Sequence, residues 1–129
     1  MKKNILKDEE GFTLIEIIAV LVLLGILAAV AVPRYMSVME EAKDKAAIAA
    51  VAEGQARVNA WFGSFILSNG KVPAQGDVPG DDNIFGTDAG DFTLSYTAQA
   101  SDVKVDAVGN TGTSVEGGTA SDLVPYPLT

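Results

Sequence analysis

Apolar and polar residues are distributed along this chain in three different patterns. From Ile17 to Val32 sixteen consecutive residues are apolar, and between Phe12 and Pro33 the only charge is Glu16. A helix over these residues reaches about 33 Å at roughly 1.5 Å per residue, enough to cross a hydrocarbon core of about 30 Å. Beyond Pro33 the apolar positions recur at steps of three or four: Tyr35, Val38, Met39, Ala42, Ala46, Ala49, Ala52, Ala56, then Val58, Trp61, Phe62, Phe65 and Ile66. That period predicts an amphipathic helix with these residues on the face that packs. Glu41 and Lys45, and Glu40 and Lys43, stand at helical ion-pair spacing on other faces. The pattern stops at Ser68-Asn69-Gly70, with Pro73 just beyond, a helix C-terminus by composition.

One long helix is therefore predicted from residue 12 to about 68. Gly25 and Pro33 oppose its continuity: Gly25 weakens helix propensity, and Pro33 removes the hydrogen bond to the Ala29 carbonyl, so a bend or a melted stretch is expected between them. Ser37 and Glu40 have capping-box spacing, but it reads as accidental within a helix.

The third pattern begins after Gly70. Lys71 to Gly90 is a Gly/Pro/Asp linker with turn signals. Phe92, Leu94 and Tyr96 then alternate with Thr93, Ser95 and Thr97, and Val103, Val105 and Ala107 alternate with Lys104 and Asp106. Two half-buried antiparallel strands follow from that alternation. A turn at 108–112 would lead into a weaker third strand near 113–116, and residues 123–127, with Pro125 and Pro127, would form an edge strand or an extended tail. The fold class is α+β: a long N-terminal helix, half transmembrane and half amphipathic, packed on a small antiparallel β-sheet head. Trp61, Phe62, Phe65 and Ile66 are the expected helix-side anchors for Phe92, Leu94 and Tyr96.

Composition narrows the chemistry. The 129 residues contain neither cysteine nor histidine, which excludes a disulfide framework, a zinc site, a Cys nucleophile and a Ser-His-Asp triad. From residue 73 onward nine acids face Lys104 alone, so this part carries the whole net charge of −8 and nucleic acid is a poor partner. Asp77, Asp81, Asp82, Asn83, Asp88 and Asp91 supply oxygen ligands that could hold calcium, although their spacing is not that of an EF-hand loop. An acidic run of this kind is more commonly a solvated surface. Phe12, Tyr35 and Trp61 are too few and too scattered to argue for an electron-conducting ladder.

Two ordinary readings fit an apolar segment near the N-terminus. One is a secretory signal peptide, with Lys2, Lys3 and Lys7 as its basic region, Ile17 to Leu27 as its apolar region and Ala29-Val30-Ala31 as its cleavage site. The other is a single-pass anchor. Neither accounts for Glu16, a charge one turn inside the apolar run, which is unfavourable there without a partner.

Gly11-Phe12-Thr13-Leu14-Ile15-Glu16, followed by an apolar run with Gly25 and ending in Val32-Pro33, resembles the prepilin signature of type IV pilins and type II secretion pseudopilins. The resemblance implies a leader over residues 1–11, a transmembrane and filament-core helix over 12–33, its amphipathic half over 34–70, and a loop with a small sheet head over 71–129, a lollipop in outline. It further implies cleavage after Gly11 by a prepilin peptidase, N-methylation at Phe12, and residence in the inner membrane with a cytoplasmic N-terminus. An inner-membrane assembly platform would then draw the subunits into a homopolymeric filament, either an extracellular pilus or a periplasmic pseudopilus. Glu16 takes the role of registry residue, pairing with the Phe12 amine of a neighbour, and Gly25 and Pro33 become the place where the helix can extend. The leader departs from the family pattern in presenting Asp8, Glu9 and Glu10 before Gly11. No catalytic residue is assigned: the chain reads as a substrate of enzymes and not as an enzyme. A pseudopilin remains the alternative within the family. From another class, the alternative is a secreted soluble acidic protein that begins at Val32 after ordinary signal cleavage.

Overall fold

The computed structural model describes residues 11–79 and 84–128. Its first element, α1, spans Leu14–Asn69, and the chain divides between Ser37 and Val38 into two compact units. In the first unit every described residue is exposed, including the whole apolar run. The helix runs without a break through Gly25 and Pro33. The expected melted stretch is thus absent from the isolated chain, although Pro33 has no N–H to offer the Ala29 carbonyl.

At its other end α1 stops where expected. Gly70 adopts φ +66°, and its N–H donates to the Ile66 carbonyl at 2.8 Å. A left-handed glycine closes the last turn because a residue with a Cβ would be strained there.

In the second unit, residues 38–69 of α1 cover one face of a four-stranded antiparallel meander in the order β1-β2-β3-β4. The strands are Asp88–Ala89, Phe92–Ala98, Asp102–Gly109 and Thr119–Pro125. The alternation predicted for β2 and β3 is realised: Phe92, Leu94, Val103, Val105 and Ala107 point into the core. Leu94 pairs with Ala107 and Tyr96 with Val105 in the β2–β3 register. A pleated strand puts alternate residues on one face, so this register places one continuous apolar surface against the helix.

No strand forms at 113–116. Successive turns occupy the segment instead, with Thr113 N–H donating to Asn110 O, Glu116 N–H to Thr113 O and Gly118 N–H to Val115 O. Gly112 and Gly117, at φ +82° and +88°, allow the chain to reverse twice. The final strand starts at Thr119, earlier than predicted, and ends at Pro125, which lacks a ladder donor. It is an edge strand, as expected for this segment.

The buried face of the helix is not the predicted alanine stripe. Ala47, Ala50, Val51, Gly54, Val58 and Phe62 are buried, whereas Ala42, Ala49, Ala52 and Ala56 are exposed. Steric fit selects this face. A Cβ on Gly54 would lie 2.6 Å from Val105 Cγ1, and one on Gly118 would lie 2.9 Å from the Lys43 carbonyl oxygen. Helix and sheet approach most closely where glycine permits it, and the larger residues of α1 fill the space to either side. Phe62 is 2% exposed, but Trp61, Phe65 and Ile66 are only half-buried. Trp61 meets Phe85 edge-on at 5.8 Å, Phe85 stacks at a tilt on Tyr96 at 4.8 Å, and Phe62 touches Tyr126 at 5.7 Å. Phe85 and Tyr126 were not among the anchors expected from the sequence.

Candidate functional site

Gly11 and Phe12 precede α1 in non-helical backbone, and Phe12 is 82% exposed. Among the described residues nothing lies within 4 Å of the position a Cβ on Gly11 would occupy.

The first turn is closed by a reciprocal pair. Thr13 N–H donates to Glu16 Oε2 at 2.7 Å, while Glu16 N–H donates to Thr13 Oγ1 at 3.3 Å. Thr13-Leu14-Ile15-Glu16 is therefore a capping box, in which side chains satisfy two of the backbone N–H groups that no carbonyl of the helix can reach. The carboxylate also lies at the positive end of the helix dipole. From the sequence Glu16 is expected to pair with a neighbour's amine, and Thr13 has no assigned role. The signal was present as Thr-x-x-Glu, the spacing noticed instead at Ser37 and Glu40, where the helix does not restart. In the uncut chain the Phe12 nitrogen is an amide, so Thr13 supplies the partner of the carboxylate.

Of the acids expected as calcium ligands, Asp77, Asp88 and Asp91 are described, and each has a partner of its own. Asp77 is held by Lys71 Nζ at 2.9 and 3.1 Å and by Ala74 N–H at 3.1 Å. Lys71, and then the Ala74 N–H, hold its carboxyl below the usual range. Asp88 Oδ1 accepts from Gly90 N–H at 2.9 Å, which tightens the β1–β2 turn. Asp91 engages through its backbone carbonyl, which accepts from Asn110 N–H. Asp81 and Asp82 lie outside the described residues. Among the described residues no group of three acidic side chains stands close enough together to hold a metal ion.

A different residue fastens the loop. Arg57, with its side chain 27% exposed, donates through Nη1 to Gly86 O at 2.6 Å and Phe85 O at 3.4 Å, and through Nη2 to Asp88 O at 2.8 Å. Nη2 also binds Glu53, one turn back on α1, and that hydrogen bond raises the guanidinium above its ordinary pKa. Tyr96 Oη donates to Gly86 O at 3.2 Å from the sheet side. One guanidinium thus connects helix, loop and first strand in a head that has no disulfide. Arg57→Ala is expected to cost about 1–3 kcal/mol, because the Phe85 carbonyl loses its donor and Gly86 keeps only that from Tyr96. Arg57→Lys should recover only a minor part of that. Urea denaturation followed by Trp61 emission measures both.

The family described as "Prokaryotic N-terminal methylation motif" matches residues 6–32. The type IV narrow pilus major component PilA5 of Thermus thermophilus is 33% identical over 118 residues, covering 88% of this chain and 93% of its own length. Fimbrial protein Q of Moraxella bovis is 34% identical over 73 residues, 57% of this chain and 43% of that protein. The type II secretion system core protein G of Pseudomonas aeruginosa is 57% identical over 37 residues, 29% of this chain and 26% of that protein. No solved structure gives a significant match. Long N-terminal helix, antiparallel head, methylation motif and near full-length relative agree: the chain belongs to the type IV pilin family, which includes the pseudopilins. Its relatives are structural components of pili and secretion systems.

Proposed function

We propose that this chain is the precursor of a pilus subunit, cut after Gly11, methylated at Phe12 and polymerised through α1. The observation that carries the reading is the 118-residue likeness to a major pilus component, which extends through the head. The likeness to protein G, at 57% identity, is limited to 37 residues, and a pseudopilin is the second reading.

Cleavage changes the electrostatics of the first turn. It replaces the Phe12 amide with an amine of pKa about 7.7–8, largely protonated at neutral pH, and adding one methyl keeps the charge. A carboxylate taken into an apolar helix bundle costs several kcal/mol unless it is paired. Glu16 of an incoming subunit meets that requirement by binding the Phe12 ammonium of its neighbour, which fixes axial register. Until then the capping box keeps the carboxylate at the helix end. The Ile/Val/Leu surface supplies most of the packing, first against lipid and then against other subunits. A prepilin peptidase with methylase activity and an inner-membrane assembly platform are the partners this reading requires, and the precursor's N-terminus is cytoplasmic.

Intact-mass measurement with N-terminal sequencing of the protein from its native cells tests the proposal. A start at Phe12 with one added methyl is expected. A start at Val32 would remove the filament helix and leave a secreted soluble acidic protein. Recovery of the mature chain in filaments sheared from the cell surface separates a pilus from a periplasmic pseudopilus.

A further inference from the structure

The apolar run is bounded by one charge at each end, Glu16 and Arg34, eighteen residues apart within the first unit. Eighteen residues at about 3.6 per turn are five full turns, so both charges lie on the same helix face, separated along the axis by about 27 Å. That separation is slightly less than the roughly 30 Å of a hydrocarbon core. With Glu16 at one boundary, Arg34 therefore arrives at the other.

Arg34 is exposed, and among the described residues it makes no ion pair and no hydrogen bond, in contrast to Lys43, Lys45, Arg57, Lys71 and Lys104. Beside it stands Tyr35, also 67% exposed. Tyrosine favours the headgroup level, where its ring is apolar and its hydroxyl is wet. An arginine in that position extends its stem along the acyl chains and presents a planar fork of donors to phosphate oxygens.

We propose that Arg34 is the outer interfacial anchor of the membrane-held subunit: its guanidinium binds the phosphate groups of the outer-leaflet phospholipids and fixes the depth of the helix. The proposal rests on the reading of 12–33 as a membrane span. Glu16 and Arg34 then hold the span from opposite ends, and Tyr35 reinforces the outer end. Removal of the Arg34 charge extends the uncharged run through Tyr35 and Met36, so the helix slides inward until the next charges, Glu40 and Glu41, stop it.

The absence of cysteine makes depth measurable. Ser37→Cys in the full chain, reconstituted in phosphatidylethanolamine/phosphatidylglycerol vesicles, is reacted from outside with a membrane-impermeant maleimide, and Val22→Cys reports the middle of the span. With Arg34 present, rapid labelling at 37 and protection at 22 are expected. Arg34→Leu should slow labelling at 37 at least fivefold, Arg34→Lys should largely restore it, and neither should change Trp61 emission. Unchanged labelling in Arg34→Leu overturns the anchor. Labelling at 37 that depends on the number of chains per vesicle overturns it too, since Arg34 would then be serving a neighbouring copy. Labelling at 22 in the parental chain overturns the membrane span itself, a failure distinct from that of the anchor.

Discussion

Glu16→Ala is expected to abolish filament formation while leaving cleavage after Gly11 intact. Loss of the carboxylate has two consequences of unequal size. The capping box with Thr13 disappears, a small loss at a fully exposed helix end where water replaces the lost partners. In the assembled state the Phe12 ammonium of each neighbour is left without a counter-charge in an apolar bundle, a penalty of about 3–5 kcal/mol per subunit. At about 1.4 kcal/mol per factor of ten, the larger cost lowers the subunit-addition equilibrium by about two to three and a half orders of magnitude. Two further variants separate the contributions. Thr13→Val removes the hydroxyl and its bond to Glu16 N–H but keeps the charge, and should assemble nearly normally. Glu16→Gln can still accept from Thr13 N–H but has no charge, and should fail like Glu16→Ala. Sheared-filament yield, read beside the mature mass of the membrane fraction, is the measurement. Normal yield from Glu16→Gln would leave the carboxylate with its capping role alone.

The largest stability effect is expected from Leu94→Ala. Leu94 is 0% exposed, centred on β2 and enclosed by the helix near Gly54 and by the neighbouring strand. Truncation of a buried leucine costs about 2–5 kcal/mol, because the lost transfer energy is compounded by a cavity the surroundings only partly fill. A domain has about 5–15 kcal/mol in total, and this head has no disulfide in reserve. The variant is expected to lose a large share of its denaturation midpoint in urea, followed by Trp61 emission on the full chain in detergent. Leu123→Ala, on the exposed edge strand at 47%, serves as the control and should change the stability by less than about 0.5 kcal/mol.

Three features of the candidate site show how far the sequence reached. The apolar helix and its one acid were legible, because sixteen unbroken apolar residues beside a single charge stand out without a fold. Thr13 was legible and overlooked: Thr-x-x-Glu is a local signal that needs no fold to interpret. Arg57 was not legible. Its loop carbonyls lie 28 to 31 residues away in the chain, and no pattern on the helix announces which loop will pass over it.

For the head, the sequence alone determined where α1 ends, which residues of β2 and β3 face inward, and that the charge is concentrated away from the stalk. Each of these depends on contrast between neighbours, apolar against polar at period two or a glycine after a helical run, and local contrast survives without a fold. The tertiary structure decided which side of an alanine-rich helix is buried and what replaces a staple. Alanine is a good helix former on either face, so Ala47 and Ala49 are indistinguishable by period or composition. The sheet distinguishes them: it settles where Gly54 lets Val105 approach, and that contact joins residues brought together only by folding.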